Sequence, residues 1–508
     1  MTRTQTRYAA LHGLAASLCG LGAGHLLASL LGPSSSPPVA VGSAAIDLTP
    51  RWLKDWAVST LGTADKPALI AGVLVVVLAV GALAGILQYR NRTGDWVLVT
   101  LGAVAAFAAQ SRPDAGQLAI IPSIAAALVA MATLRIPALR IPTTRAPTSL
   151  PAAEPGAGRR ALLASGLLAG AGAGMAYVGA RIGAPAGPSG EAFSLPVVAD
   201  PLPPLPAGLE SAVSGLAPLR TPVADFYRID TALAIPRIDP DAWRLRIDGD
   251  VARPYELSLA ELLRMPMVEA DITLNCVSNP VGGDYIGSSR WLGVLTRDVL
   301  SRAGVRDSAD QILSTSQDGM TISTPVAALQ DDRGAMLAIA MDGRPLTPMH
   351  GFPVRMITPG LYGYVGATKW LTRLTATTYA KEQAYWSTRG WAERADVKTQ
   401  SRIDVPRDGA KVPTGDLVIA GVAWSQAHQG ISRVEVRVDD GEWVSADLGP
   451  DVGGHYWRQW RATWPATAGE HTITARATDG EGTLQTTTIA APDPDGASGL
   501  QTIVVRVQ

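Results

Sequence analysis

Residues 270–283 read Ala270-Asp-Ile-Thr-Leu-Asn-Cys276-Val-Ser-Asn279-Pro-Val-Gly282-Gly283. The first six alternate apolar and polar side chains, as a half-buried strand does, so the pattern delivers Cys276 to a strand end. The glycine pair that follows lets the backbone make room for a bulky group beside the thiol. The 508 residues contain only two cysteines. The other, Cys19, lies in an apolar run near the N-terminus, so an exported Cys276 has no disulfide partner. That leaves a buried inert thiol, a free thiol or a metal ligand. A thiolate is a soft, strongly donating ligand suited to a transition metal.

Outward from this stretch, strands and short helices alternate, the pattern of an α+β domain. Residues 243–249 (WRLRIDG) read as a strand. Ser258 caps a helix that Pro266 ends, Thr296 caps a second, and Thr324-Pro325 opens a third. Asp342-Gly343 turns a hairpin. Residues 353–357 (PVRMI) and 367–377 (ATKWLTRLTAT) read as further strands. From about Lys398 the chain holds only short strands separated by Gly, Asp and Pro turns, as in an antiparallel β-sandwich. Without a disulfide such a sandwich rests on packing, with Trp424, Trp443, Trp457 and Trp460 as candidates.

The net charge of -1 gives no support to a nucleic-acid partner. The mean hydropathy of +0.16 is high, and the excess sits in the first third. Apolar runs near Tyr8–Leu31, Pro67–Leu87, Trp96–Ala109, Leu118–Leu134 and Ala161–Ala180 predict about five membrane spans. Arg3, Arg7, Arg90, Arg92, Arg135, Arg140, Arg145, Arg159 and Arg160 then fall on one side, the cytoplasmic one. Arg51, Lys54, Lys66, Arg112 and Arg181 fall on the other, which places everything after Arg181 outside the cytoplasm. Arg159-Arg160 before the last span reads either as an embedded twin-arginine export signal or as plain flanking charge. His12 and His25 share one span, whereas a haem between helices normally takes ligands from two, so the spans read as an anchor. Residues 51–56 (RWLKDW) read as a short interfacial helix. Residues 182–222, rich in Pro, Gly, Ala and Ser, read as a spacer.

Three motifs, in order, carry a resemblance. Thr273-Leu-Asn-Cys276-Val-Ser-Asn279 with Gly282-Gly283 and Ser289-Arg290-Trp291-Leu-Gly293 resembles the molybdenum-cysteine segment of the sulfite-oxidase family. Residues 334–346 (GAMLAIAMDGRPL) are similar to that family's next signature. His350-Gly-Phe-Pro-Val-Arg355, with Pro359-Gly360 and Ala367-Thr368-Lys369-Trp370, is similar to the one after it. The N-terminal α-helical membrane domain (1–181) and the linker (182–222), read from the apolar runs and the composition, lie outside the resemblance. The resemblance implies an α+β sulfite-oxidase-type molybdopterin-binding domain (223–395) and a C-terminal all-β immunoglobulin-like sandwich (396–508), where the family carries its dimerisation domain. It implies a molybdenum cofactor with Cys276 as the metal's thiolate. Phe226, Tyr227, Arg228, Asp230, Asp318, His350, Arg355, Ala367, Thr368 and Lys369 are then cofactor contacts, the cations serving the pterin phosphate. Singly, each of these residues has a bland reading as an edge-strand charge, a surface lysine or a turn.

The family's sulfite-handling set is incomplete. It carries Arg four residues after the cysteine, where this chain has Pro280, and a Tyr in the hairpin signature, where this chain has Ile339. Arg290 and Arg389 are left as catalytic oxyanion contacts, and Tyr285, Tyr362, Tyr364, Tyr385, Trp386 and Trp391 as candidates for the pocket mouth. The expectation is two-electron oxygen-atom transfer at molybdenum in an extracytoplasmic domain of a multi-pass plasma-membrane protein. The substrate expected is a sulfoxide, an N-oxide or a sulfite-like compound. With no Cys-x-x-Cys-His motif, a separate cytochrome or quinone-linked carrier handles the electrons, and a homodimer is a further expectation. The competing readings are a non-catalytic surface binding protein on the same fold and, more weakly, a transporter built on the spans.

Overall fold

The computed structural model describes residues 1–61, 64–113, 115–136, 157–183 and 193–508. The chain divides into two units, Met1–Ala186 with Thr231–Arg237, and Gly187–Asp230 with Ile238–Gln508.

The first unit is helical: α1 (Arg3–Leu31), α2 (Pro37–Leu48), α3 (Arg51–Leu61), α4 (Asp65–Asn91), α5 (Gly94–Gln110), α6 (Ile121–Leu134) and α7 (Ala157–Gly183). A capping box between Thr2 and Gln5 starts α1. The glycines of α1 let its neighbours touch backbone. A Cβ at Gly13, Gly20 or Gly22 would stand 2.1, 2.4 or 2.1 Å from the carbonyl oxygen of Gly81, Ala126 or Gly172. His12 Nε2 lies 3.3 Å from the Leu134 carbonyl and His25 Nδ1 lies 2.9 Å from the Ser36 hydroxyl, so both rings have partners inside the bundle.

Of the five expected spans, α1, α4 and the Leu162–Gly183 part of α7 are long and apolar enough to cross a membrane. At 17 and 14 residues, α5 and α6 are shorter apolar helices. The helix α2 lies where none is expected. It starts at Pro37-Pro38, and proline is at home in the first helical turn. Arg140 and Arg145, and the side chains of Arg159 and Arg160, lie outside the described residues.

The second unit opens with an α+β region. Its elements are β1 (Arg244–Gly249), β2 (Tyr255–Ser258), α8 (Leu259–Leu262), β3 (Val268–Asn275), β4 (Ile286–Leu295), α9 (Thr296–Ala303), β5 (Gln311–Ser316), β6 (Thr321–Pro325), α10 (Val326–Gln330), β7 (Met336–Met341), β8 (Arg344–Pro345), β9 (Arg355–Ile357), α11 (Gly363–Gly366) and β10 (Leu371–Thr377). They build one sheet of order β2-β1-β10-β5-β6 and another of order β3-β4-β7-β8, with β9 also on β7. Leu245 and Ile247 of β1, Val294 of β4, Leu337 and Ile339 of β7 and Leu374 of β10 share one buried core. Asp342 and Gly343, at φ 52° and 71°, make the expected hairpin turn between β7 and β8. Ser258 caps α8 as expected, with Glu261 closing the box, but the helix runs only to Leu262.

Two expected caps are not made. Thr296 is the first residue of α9 and its hydroxyl donates to the Leu329 and Ala335 carbonyls. Thr324 belongs to β6 and donates to the Val365 carbonyl. The 367–377 stretch becomes strand only from Leu371.

The chain ends in a β-sandwich of β11 (Gln400–Val405), β12 (Lys411–Val412), β13 (Gly415–Trp424), β14 (Ile431–Val438), β15 (Val444–Ser445), β16 (Asp447–Leu448), β17 (Arg458–Ala466), β18 (Gly469–Asp479) and β19 (Gln501–Val507). Its sheets have the orders β11-β13-β17-β16 and β12-β19-β18-β14-β15. Trp460 sits in the core between them. Trp424 and Trp457 instead join Val277, Ile286 and Tyr362 in a cluster shared with the α+β region. Trp443 is only half-buried, between the guanidinium groups of Arg437 and Arg476. The described part of the expected spacer, residues 193–222, packs at several points: Phe193 stacks on Phe352, Leu219 is buried, and Thr221 N–H donates to the Ser288 carbonyl.

Candidate functional site

Strand β3 is paired along its length with β4, from Val268 opposite Gly293 to Asn275 opposite Ile286. It ends at Cys276, whose N–H donates to the Tyr285 carbonyl and whose carbonyl accepts from Asn279 N–H. The thiol is buried. Burial pushes its pKa up, while hydrogen bonds from Ser278 and the Lys369 charge pull the other way. A thiol held in this balance becomes a thiolate readily only when a cation or a metal arrives.

The expected cations gather around it. Arg355 leaves β9 fully buried, donates through one guanidinium nitrogen to the His350 carbonyl at 3.2 Å, and stacks 5.2 Å from the Trp291 ring centre. Burial pushes its pKa down to about 10. Lys369 Nζ donates to Asp230 at 2.8 Å and to the Met349 carbonyl at 3.1 Å, and burial lowers it to about 8 against the pull of Asp230. Arg228 donates to the same Asp230 at 3.0 Å. His350 is buried, with Nδ1 at 2.7 Å from the Thr347 hydroxyl. Burial, reinforced by Arg355 and Lys369, takes it down to about 4, so its ring is neutral near pH 7.

The remaining expected contacts frame this group. Phe226 packs edge-on against both Trp291 and His350. Burial, with Cys276 nearby, drives the Tyr227 phenol up, and Arg355 opposes it. Ala367 N–H donates to Gly363, the Thr368 carbonyl accepts from Met356 N–H, and so residues 367–369 run beside β9. Gly351 permits this closeness: at φ 104°, its Cβ would stand 3.1 Å from Lys369 Cα. Asp318 is buried and accepts from the Ser316 hydroxyl, and its neighbour Gln317 donates to the Trp370 carbonyl.

Two expected catalytic residues are placed differently. Arg290 forms a two-pronged ion pair with Asp271 across the β3–β4 pair, at 2.9 and 2.7 Å, and its third nitrogen donates to the Leu202 carbonyl. All three nitrogens are engaged, which leaves two of the five guanidinium N–H donors for any oxyanion. Asp271 is nearly buried, so Arg290→Gln is expected to destabilise the chain by about 3 kcal/mol by stranding that carboxylate. It should leave cofactor content near that of the parent chain; thermal unfolding and metal analysis of one preparation check both. Arg389 lies 3.5 Å from the Tyr385 ring centre, in a half-buried aromatic group with Trp386, Trp391 and Tyr364. Its Nε is buried without a partner, so it remains a candidate. Ile339 is wholly buried in the apolar core.

Asn275 was not expected here. It is 1% exposed, and neither its amide nitrogen nor its amide oxygen has a hydrogen-bond partner. Arg355 Nε and Asn279 Nδ2 are buried and unpartnered as well. Buried polar groups are ordinarily satisfied. Such groups beside a buried thiol, with Arg228 and Lys369 on Asp230 and the Arg355 charge felt by Lys369, fit a bulky polar anion such as a pterin phosphate. Cys276 would hold the metal and the three cations the phosphate. The position of Asn275 directly before the cysteine was its only sequence signal.

Comparison with known proteins agrees. A family model for an oxidoreductase molybdopterin binding domain matches residues 232–386, and one for a bacterial Ig domain matches residues 400–475. Sulfite oxidase of Gallus gallus is 31% identical over 306 residues, covering 51% of this chain and 66% of that protein. The mitochondrial sulfite oxidase of Homo sapiens is also 31% identical over 306 residues, covering 51% of this chain and 56% of its own length. NADH nitrate reductase 1 of Oryza sativa subsp. japonica is 29% identical over 296 residues, covering 47% and 32%. The chain thus spans 56–66% of the length of these sulfite oxidases. The crystal structure of the sulfane dehydrogenase SoxCD from Paracoccus pantotrophus shares the fold, with TM-score 0.50, 23% identity, and coverage of 61% of this chain and 90% of that one. Ordered motifs and relatives converge: the chain carries an oxidoreductase molybdopterin binding domain of the sulfite-oxidase type, and its cofactor is the molybdenum cofactor.

Proposed function

We propose that this is a membrane-anchored oxidoreductase whose extracytoplasmic domain transfers an oxygen atom to or from a sulfoxide, an N-oxide or a sulfite-like compound. The observation that carries the reading is the buried Cys276 thiol at the end of β3, ringed by cations and unpartnered polar atoms. The bound cofactor supplies the two-electron oxygen-atom chemistry. The chain supplies a thiolate, a dry site, and charge that orients the phosphate end through Arg228, Arg355 and Lys369. His350, neutral near pH 7, adds a polar contact without further charge.

The substrate class follows from which cations remain. Sulfite and nitrate, the anions named for the curated relatives, call for cations beyond those that hold the cofactor. Here Arg290 is engaged by Asp271, Pro280 brings no charge, and Arg389 is left as a single candidate cation. A neutral oxygen-atom donor therefore suits the site better than a dianion. The apolar helices and the Lys/Arg bias support an anchor with the catalytic domain outside the cytoplasm. The chain has no Cys-x-x-Cys-His motif and only two cysteines, so a separate cytochrome or quinone-linked protein would exchange its electrons.

The test is metal and pterin analysis of the purified full chain, followed by a dye-linked screen of sulfite, sulfoxides and N-oxides. Molybdenum near one per chain is expected, with kcat/KM for a neutral donor at least about tenfold above that for sulfite. A chain free of pterin would sink the enzyme reading and favour a binding protein on this fold. A clear preference for sulfite would sink the neutral-substrate assignment.

A further inference from the structure

Strand β3 is an edge strand of its sheet. Edges left open are a liability, and here the sandwich side closes it. Thr273 N–H donates to the His455 carbonyl at 2.9 Å, and Gln426 Nε2 donates to the Thr273 carbonyl at 3.2 Å. The Thr273 hydroxyl accepts from Trp457 N–H at 2.8 Å. Three residues before Cys276, then, one residue is held at backbone N–H, carbonyl and side chain by the segment around β13 and β17.

The loop after Cys276 is held the same way. Internally it is pinned by Tyr285 N–H donating to Asn279 Oδ1 at 2.9 Å and Gly283 N–H donating to the Pro280 carbonyl at 3.0 Å. Its tip is reached from the sandwich. Arg402 of β11 is 7% exposed, is anchored by Asp404 at 2.6 Å, and donates to the Gly283 carbonyl at 3.1 Å. Gln501 of β19 accepts from Ile403 N–H at 2.6 Å and lies so close to Gly282 that a Cβ there would meet its amide nitrogen at 2.6 Å. A buried guanidinium with its own carboxylate anchor is a rigid donor, and a hydrogen bond from a charged group is among the stronger ones.

We propose that the sandwich is a brace within the chain, fixing both ends of the Cys276 segment, and that Arg402 is its positioning residue. The sandwich then sets where the thiol stands, whatever else it contacts. The inference rests on the reading of Cys276 as the metal's ligand for its consequence, while the bracing itself is a property of the backbone.

Hydrogen exchange of the full chain, purified in detergent, tests it at the amides of Cys276, Asn279, Gly283 and Tyr285. Arg402→Gln is expected to speed exchange at Gly283 and Tyr285 by roughly tenfold or more, with β13 and β17 unchanged. Arg402→Lys, which keeps a charge anchored by Asp404, should recover part of the protection. If Arg402→Gln also exposes β13 and β17, Gln501→Leu carries the test, with loop exchange faster and the sandwich protected. Loop amides as slow as in the parent chain, in a variant whose sandwich is intact, overturn the brace. Molybdenum content of Cys276→Ser is measured separately: retained metal there overturns the ligand reading and leaves the brace standing.

Discussion

Cys276→Ser is expected to lose its molybdenum and to lower turnover by more than about 100-fold, the larger end of what disturbing a metal's surroundings costs. The reason is chemical rather than steric. Serine fills nearly the same volume at the end of β3, so the Thr273 and Tyr285 hydrogen bonds on either side stay in place. What disappears is the soft thiolate, because a hydroxyl does not ionise at neutral pH and binds a transition metal weakly. Stability of the cofactor-free chain should therefore change by less than about 1 kcal/mol. Plasma emission analysis, far-UV circular dichroism and the dye-linked assay check the three statements together. Full activity and one molybdenum per chain in the variant would overturn the assignment of Cys276.

Why the cysteine was legible in sequence, and other features were not, comes down to the range of the interactions. Alternation over residues 270–275 is a local property of one strand, and it ended where the structure ends β3. The Asp342-Gly343 hairpin is equally local, since both residues tolerate the left-handed backbone the turn needs. The cationic cluster was legible only as a set of ordered motifs, because Arg228, Asp230, Arg355 and Lys369 come from three separate segments that no single window shows together. The pairing of Arg290 was hidden for the same reason: its partner Asp271 is 19 residues away and faces it only once β3 and β4 pair. Thr296 and Thr324 have the right chemistry for caps, but tertiary carbonyls at Leu329, Ala335 and Val365 take their hydroxyls. Trp424 and Trp457 were placed in the right half of the chain and the wrong core, since period-two patterning does not say which neighbour a face meets.

The site gathers several departures from ordinary packing rules. Several buried charges elsewhere in the second unit sit beside opposite charges, as Arg402 does with Asp404 and Arg290 with Asp271. Around Cys276, by contrast, an asparagine has no partner for either amide atom, and Trp370, a bulky residue, takes the left-handed conformation at φ 51° directly after Lys369. Such departures cost stability and concentrate where binding requires them.

Arg355 shows that cost most directly, and Arg355→Met exposes it. The guanidinium is 6% exposed, its Nε has no partner, and one of its other nitrogens donates to the His350 carbonyl. Burial lowers its pKa from the ordinary arginine value to about 10 in the folded chain. A cation whose folded pKa lies below its unfolded one weakens folding at every pH below the folded value, and the penalty fades only as pH rises from about 10 toward the ordinary value. At neutral pH the penalty is roughly 3 kcal/mol for the cofactor-free chain. Methionine has a similar length, carries no charge and packs well against the Trp291 face that the guanidinium now covers. The variant made without cofactor should therefore unfold at the same temperature as the parent or a few degrees higher. With cofactor supplied, the order reverses: without that charge beside the phosphate, retention of the pterin should fall about 100-fold, since a buried charge-assisted contact of this kind is worth several kcal/mol. Thermal scans of both forms, paired with pterin fluorescence after acid extraction, measure the two halves. A variant that is less stable without cofactor, yet keeps its full pterin content, would make Arg355 an ordinary structural residue and remove the strongest cation from the proposed site.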